Sequence, residues 1–507
     1  MKESREEIAR HDEQQLRRFG YVQELYRTMG GFSNFAISFT IISILSGPLT
    51  LFAFGLAAAG PAAAAYGWPV VTIFVMFVAL NMAETASAFP TTGGLYFWSS
   101  MLGGAGWGWF TGWFNLIGQV AITAGIDYGL AIFVDAFINQ YAPAFPVAGH
   151  AGAVATLGIY AVILLAHALL NVKGVRLVSL LNDVSVWWHV GGALIIVAAL
   201  VFLAPHHAHP WSFAFATLKT RTGFSPWYGF LIGLLLASYT ITGFDASAHM
   251  SEETLGASNA PSWGIVMSVA ISGIVGYILL LGMVTSLPSL SGALGSSNPV
   301  LYVLTTRLGS AGGDLLFVIA LVAMFFCGMS SVTANSRMIY AFARDKGLPA
   351  SNTLKRLNGI RSPYNAIWLA VVLAFILAVP ALWSSVVYSV VTSIGVIGLF
   401  ISYVAPAFLK LVYPSRFTPG PWSLGRFSRP IGVIAVAWVI FICILFSLPV
   451  VRPVTLGNFN YTPVVLGIVV VILAVAYVTR IRHHFRGPAI LQTGLQNDVD
   501  DASYARE

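Results

Sequence analysis

Charge is what this sequence has least of. Asp, Glu, Lys and Arg make up 9% of its 507 residues, where a soluble domain carries about a quarter. A water-soluble globular fold is therefore excluded. With 57% hydrophobic residues, a disordered chain is excluded too. Cysteine is nearly absent. Cys327 and Cys443 both lie in apolar runs, so neither a disulfide scaffold nor a cysteine metal site is expected. There is no G-x-x-x-x-G-K-[ST] phosphate loop, and no polar stretch long enough for a separate nucleotide-hydrolysing domain. The first thirty residues lack the apolar core of a cleavable signal. Histidines and carboxylates are dispersed rather than convergent, so no enzyme is expected. His206, His207 and His209 share one loop but lack further ligands, so neither a metal nor another cofactor is expected.

Long apolar runs are abundant, and mean hydropathy is +0.80. Twelve runs stand at 33–59, 68–89, 107–140, 152–171, 184–204, 227–250, 262–287, 313–342, 364–381, 385–411, 430–450 and 460–480. Each suits a helix crossing roughly 30 Å of hydrocarbon. The alternating strands of an outer-membrane barrel are missing. The expected fold is an all-α integral membrane protein of twelve spans in a lipid bilayer. With both termini inside, 22 of the 26 Lys and Arg residues fall on one side. That is the positive-inside pattern. The net charge of +7 thus reports topology, and no nucleic-acid partner is expected.

Two runs are interrupted. The first holds Ser46-Gly47-Pro48-Leu49-Thr50 at its middle. Pro48 lacks an amide and Gly47 accepts unusual dihedrals. The sixth holds Thr242-Gly243-Phe244-Asp245. Unwound backbone at membrane depth survives only where protein or a cavity surrounds it. Interrupted helices in corresponding positions of two repeats point to a transporter binding site. Half-helix N-termini suit a substrate carboxylate. Exposed carbonyls and Asp245 suit an ammonium group. The alternative role for Asp245 is to cap the second half of its helix.

Several segments carry a family resemblance. They are Phe32-Ser33-Asn34-Phe35, Tyr66-Gly67-Trp68, Glu84 through Tyr96 with Pro90-Thr91-Thr92-Gly93-Gly94, His249-Met250-Ser251-Glu252-Glu253, and Ala343-Arg344-Asp345-Lys346-Gly347. The chain resembles the amino acid/choline transporter family of the amino acid–polyamine–organocation superfamily. The resemblance implies a five-plus-five inverted-repeat core of the leucine-transporter type, with broken helices 1 and 6. It implies a secondary-active permease in the plasma membrane, working by alternating access. The substrate would be an amino acid or a related amine such as GABA; the alternatives are choline, a polyamine, or a transporter-like sensor. It divides the chain into a cytoplasmic tail (1–30), a ten-helix core (31–411), helices 11 and 12 (412–480) and a second cytoplasmic tail (481–507).

The same resemblance assigns Ser46, Gly47, Pro48, Thr50, Thr242, Gly243, Phe244 and Asp245 to substrate binding, although Pro48 replaces a glycine of the family's loop. It sets His189 where proton-linked relatives keep a lysine. H⁺ is the expected coupling ion, since histidine titrates near neutral pH; Na⁺ is the alternative, for which Ser330 and Ser331 are the candidate hydroxyls. Glu84, Asp127 and Glu252 are the remaining coupling or gating candidates, because intramembrane carboxylates are costly. Asp127 is expected to face the cavity with Asn115 and Gln119. The basic residues after the eighth run are expected to reach Glu252 and Glu253. Trp113, Trp187, Trp188, Tyr239 and Phe244 are candidates for an aromatic cage around a quaternary ammonium.

Overall fold

The computed structural model describes residues 4–204, 209–384 and 386–492. His206, His207 and residues 493–507 of the expected C-terminal tail lie outside the described residues. Among the described residues no strand forms, and eleven helices are long and apolar enough to cross a membrane. The run at 227–250 is missing from those eleven because it is broken into short helices.

Numbered as in the sequence, span 1 comprises Gly31–Ile42, Gly47–Thr50 and Phe52–Ala59. Span 2 is Trp68–Ala88, span 3 Ala105–Tyr141, span 4 Gly149–Val172 and span 5 Val175–Ala198. Span 6 comprises Pro226–Gly233, Leu235–Thr240 and Ala246–His249. Span 7 is Ala260–Thr285, span 8 Pro299–Arg344, span 9 Tyr364–Ala378 and span 10 Val387–Val412. Spans 11 and 12 are Ser428–Leu445 and Thr462–Ala476.

Span 8 is preceded by a separate short helix. Pro299–Arg344 is two helices that meet at Gly309, whose φ +72° and ψ +171° are not helical, and the apolar run at 313–342 falls in the second. Within the membrane, apolar burial gives helices little reason to associate, so close backbone approach matters more. Spans 3 and 10 show it: a β-carbon at Gly118 would stand 2.6 Å from the Leu399 amide nitrogen, and one at Gly398 3.0 Å from Gly118 Cα. That seam holds one face of each helix toward span 6.

The N-terminal segment packs against the bundle. Ser4 and Glu7 form a reciprocal capping box that starts the helix Arg5–Arg18. Asp12 on that helix accepts the amides of Gly256 (2.8 Å) and Ala257 (3.0 Å) in the loop after span 6.

Candidate functional site

The two breaks face each other. Span 1 stops where Ser43 takes a left-handed conformation (φ +40°) and restarts at Gly47. Pro48 sits in the first turn of the new helix, where its missing amide costs nothing. Span 6 stops at Thr240 and turns through Gly243 at φ +87°, a conformation glycine adopts without strain. A β-carbon on Gly47 would lie 2.5 Å from Thr240 Oγ1, and one on Gly243 would lie 2.2 Å from Ile41 Cγ2. Each break therefore needs its glycine so that the other can approach. Ser38 reinforces the contact, its hydroxyl donating to the Phe244 carbonyl at 2.9 Å.

An enclosed space of about 10 Å³ lies between the breaks, lined by Ser46, Gly47, Ile122, Tyr239, Thr242 and Cys327 among others. That is room for one water at most. The buried hydroxyls of Ser46 and Tyr239 have no hydrogen-bond partner. The Thr50 and Thr242 hydroxyls are tied back to the carbonyls of Gly47 (3.1 Å) and Tyr239 (2.7 Å).

Asp245 is fully buried, and it does not cap its own helix. No side-chain cap bond forms there, because the carboxylate turns away to spans 3 and 10. Tyr403 donates to one oxygen at 2.8 Å. Gln119 (2.8 Å) and Asn115 (3.1 Å) donate to the other, and His249 Nε2 lies 3.2 Å from it. The Tyr403 hydroxyl accepts the Gly243 amide at 2.9 Å, so one phenol links the turn, the carboxylate and span 10. Phe244 is buried with its ring 4.7 Å from that of Tyr403.

Asn115 and Gln119 thus serve Asp245 and not Asp127, a correction to the expected grouping. Asp127 lies two turns further along span 3. Its Oδ2 is 3.1 Å from His167 Nδ1 on span 4, with both side chains fully buried. Gly328 of span 8 presses against this pair: a β-carbon there would stand 1.7 Å from Asp127 Oδ1. His167 Nε2 and Asp127 Oδ1 have no partner. His167 gave no signal in sequence beyond being a lone histidine in an apolar run.

His189 lies beside the first break. Its Nε2 is 2.7 Å from Ser43 Oγ, and its Nδ1 is 2.8 Å from the Ser185 carbonyl. A carbonyl can only accept, so Nδ1 carries a proton, and in the neutral ring Nε2 accepts from Ser43. Ser330 and Ser331 diverge. Ser330 donates to the Phe326 carbonyl (2.8 Å) and to Asn182 on span 5, while Ser331 pairs with Thr123 on span 3 at 2.8 Å. They do not converge on one ion position.

Glu252 joins a second constellation at one end of span 6. Arg344 grips it with two bonds of 2.8 Å, and the Thr92 amide donates to it at 3.0 Å. Arg337 holds Glu253 at 2.9 Å. The Arg344 guanidinium lies 4.0 Å from the Tyr21 ring centre, and Tyr21 and Tyr96 both donate to Asp345. Burial holds the Asp345 carboxyl above the usual carboxylate range, against the pull of Arg344. Arg27 donates to the carbonyls of Ser251 (3.0 Å) and Thr254. Together these contacts tie the start of span 1 to the ends of spans 6 and 8 beside it. Glu84 belongs elsewhere: Lys410 (2.9 Å) and the Leu424 amide (3.0 Å) hold it in a link between spans 2, 10 and 11.

The expected aromatic cage does not form. Trp187 is 70% exposed on the outer face of span 5, while Trp113 packs on Trp109. Tryptophans of this kind mark the lipid-facing surface.

The family model described as amino acid permease matches residues 29–472. The amino-acid permease BAT1 of Arabidopsis thaliana is 40% identical over 492 residues, covering 93% of this chain and 95% of the relative. Its homologue in Oryza sativa subsp. japonica is 39% identical, covering 93% and 94%. An uncharacterized amino-acid permease of Schizosaccharomyces pombe is 29% identical, covering 94% and 86%.

Proposed function

Because the chain belongs to the amino acid permease family, we propose that it is a secondary-active transporter that imports or exchanges amino acids, GABA among them, across the plasma membrane. The carrying observation is the apposition of the two breaks through Gly47 and Gly243 around a small space. In this reading, residues 31–411 form the transport core, residues 412–480 add helices 11 and 12, and both tails are cytoplasmic. Spans 1 and 6 separate to admit substrate at Ser46, Gly47, Thr242 and Phe244, and Asp245 receives its ammonium. The Glu252–Arg344 contact keeps the inner face shut meanwhile.

The coupling ion in this reading is H⁺, carried by His189. Support comes from its 2.7 Å bond to Ser43, the left-handed residue at which span 1 unwinds. A proton on Nε2 turns that acceptor into a donor and forces the Ser43 hydroxyl to turn. Protonation is thereby tied to the shape of the break.

The test is uptake into proteoliposomes of radiolabelled amino acids, GABA, choline and putrescine, with and without pH or sodium gradients. Saturable uptake of at least one amino acid, enhanced by an inward proton gradient, is expected. If no amino acid is taken up, the substrate class is wrong. If His189→Gln keeps the wild-type pH profile, His189 is not the proton carrier.

A further inference from the structure

At the end of span 1 nearest the N-terminal helix, a cup of about 430 Å³ is walled by Arg5, Arg27 and Arg176, with Glu6 as its acidic wall. Arg27 is committed inward, to the carbonyls closing span 6 and to Asp12 at 3.6 Å. Arg5 and Arg176 are exposed, and none of the ion pairs among the described residues engages them. The cup is therefore net positive and unfilled by the protein's own acids.

The cup adjoins an apolar groove of about 560 Å³ between spans 1 and 7, lined by Phe32, Phe35, Trp263, Met267 and Ile271 among others. The lining passes from Thr28 and Leu255 in the cup to Gly31 and Gly256 in the groove. Phe32, Trp263 and Met267 remain 47%, 54% and 40% exposed. On the other side of Phe32, Trp187 stacks with it at 6.3 Å. Trp187 shares a helical face with Arg176, Leu180 and Val184, whose spacing of four, four and three residues aligns them. A cationic end continuing into apolar stripes on two sides is complementary to one kind of molecule: an anionic head joined to acyl chains.

We propose that this cup and groove form a binding site for an anionic glycerophospholipid, with its phosphodiester between Arg5 and Arg176 above the inward-turned Arg27 and one acyl chain along Phe32, Phe35 and Trp263. A free phosphate satisfies the cup but leaves the groove unexplained. A zwitterionic lipid fills the groove but gains little from the arginines. Arg27 links the headgroup position to the carbonyls of Ser251 and Thr254, so the bound lipid braces the start of span 1 against the end of span 6.

The test is thermal unfolding of the purified full chain in a neutral detergent, titrated with phosphatidylglycerol, phosphatidylcholine or inorganic phosphate. Phosphatidylglycerol is expected to raise the midpoint and the other two not to. Each arginine near an anionic lipid contributes about five-fold in affinity. Arg5→Gln/Arg176→Gln should therefore weaken the phosphatidylglycerol response about thirty-fold, while Arg426→Gln/Arg429→Gln, in a separate basic recess, should keep it. Should the first double variant fail to fold, Arg176→Gln alone gives the same reading at about five-fold. The proposal is overturned by equal stabilisation from both lipids, by a phosphate effect matching that of phosphatidylglycerol, or by equal losses in the two double variants.

Discussion

Replacing Gly243 by alanine tests the contact between the broken helices at its tightest point. Two costs add. A residue with a β-carbon at φ +87° is strained by about 1–2 kcal/mol. The new methyl also meets Ile41, 2.2 Å from Cγ2 and 3.0 Å from Cβ, and overpacking of this kind costs about 1–3 kcal/mol. The expected loss is about 2–5 kcal/mol, read as a lower unfolding midpoint in detergent, with loss of uptake. Ile41→Ala alone leaves a cavity and also destabilises, by about 2–5 kcal/mol. In the double variant the new methyl occupies the space that Cγ2 vacates. The costs should then be less than additive by about 1–3 kcal/mol, while the dihedral strain persists. A wild-type midpoint for Gly243→Ala, or strictly additive losses in the cycle, refutes the claim that the breaks touch here.

Three further outcomes are expected. Arg344→Gln strands the buried Glu252 carboxylate and should cost about 3–5 kcal/mol, with Glu252→Gln/Arg344→Gln recovering part of it in denaturant titration. Tyr403→Phe removes one donor from Asp245 and the acceptor of the Gly243 amide, for a loss of about 1–3 kcal/mol; in uptake assays the apparent substrate affinity should fall. Asp345 has a folded-state pKa raised above its unfolded value by burial. The folded chain takes up the proton first as pH falls, so stability rises through that window and levels off near the ordinary aspartate value. Asp345→Asn should lack this rise when midpoints are compared across pH.

Hydropathy alone gave the spans, because length and apolarity set them directly. The breaks were legible for a similar reason: Gly47-Pro48 and Gly243 are local backbone signals. Partners were not. Asp127 stands in an uninterrupted apolar run and Asp245 in a break, and neither setting names its donors. Only the crossing of spans 3 and 10 at Gly118 and Gly398 decides that Gln119 reaches Asp245. His167, Tyr403 and Tyr21 were missed because each acts on a residue far along the chain. The apolar run of span 8 was legible as well, since it falls in the second of the two helices that meet at Gly309.

The saturation of Asp245 has a consequence for selectivity. Three donating side chains and the nearby His249 surround its two oxygens. In the role proposed for Asp245, an arriving cation competes with these donors for the carboxylate, so recognition is in part a trade of one partner for another. Its free energy is then the difference between two satisfied arrangements, not the full strength of a new ion pair. A ligand of the same size with no donor has nothing to offer in exchange for the one it displaces, and the group it strands is buried. Under the proposed function, exclusion of the wrong solute then rests on the hydrogen bonds that already surround Asp245.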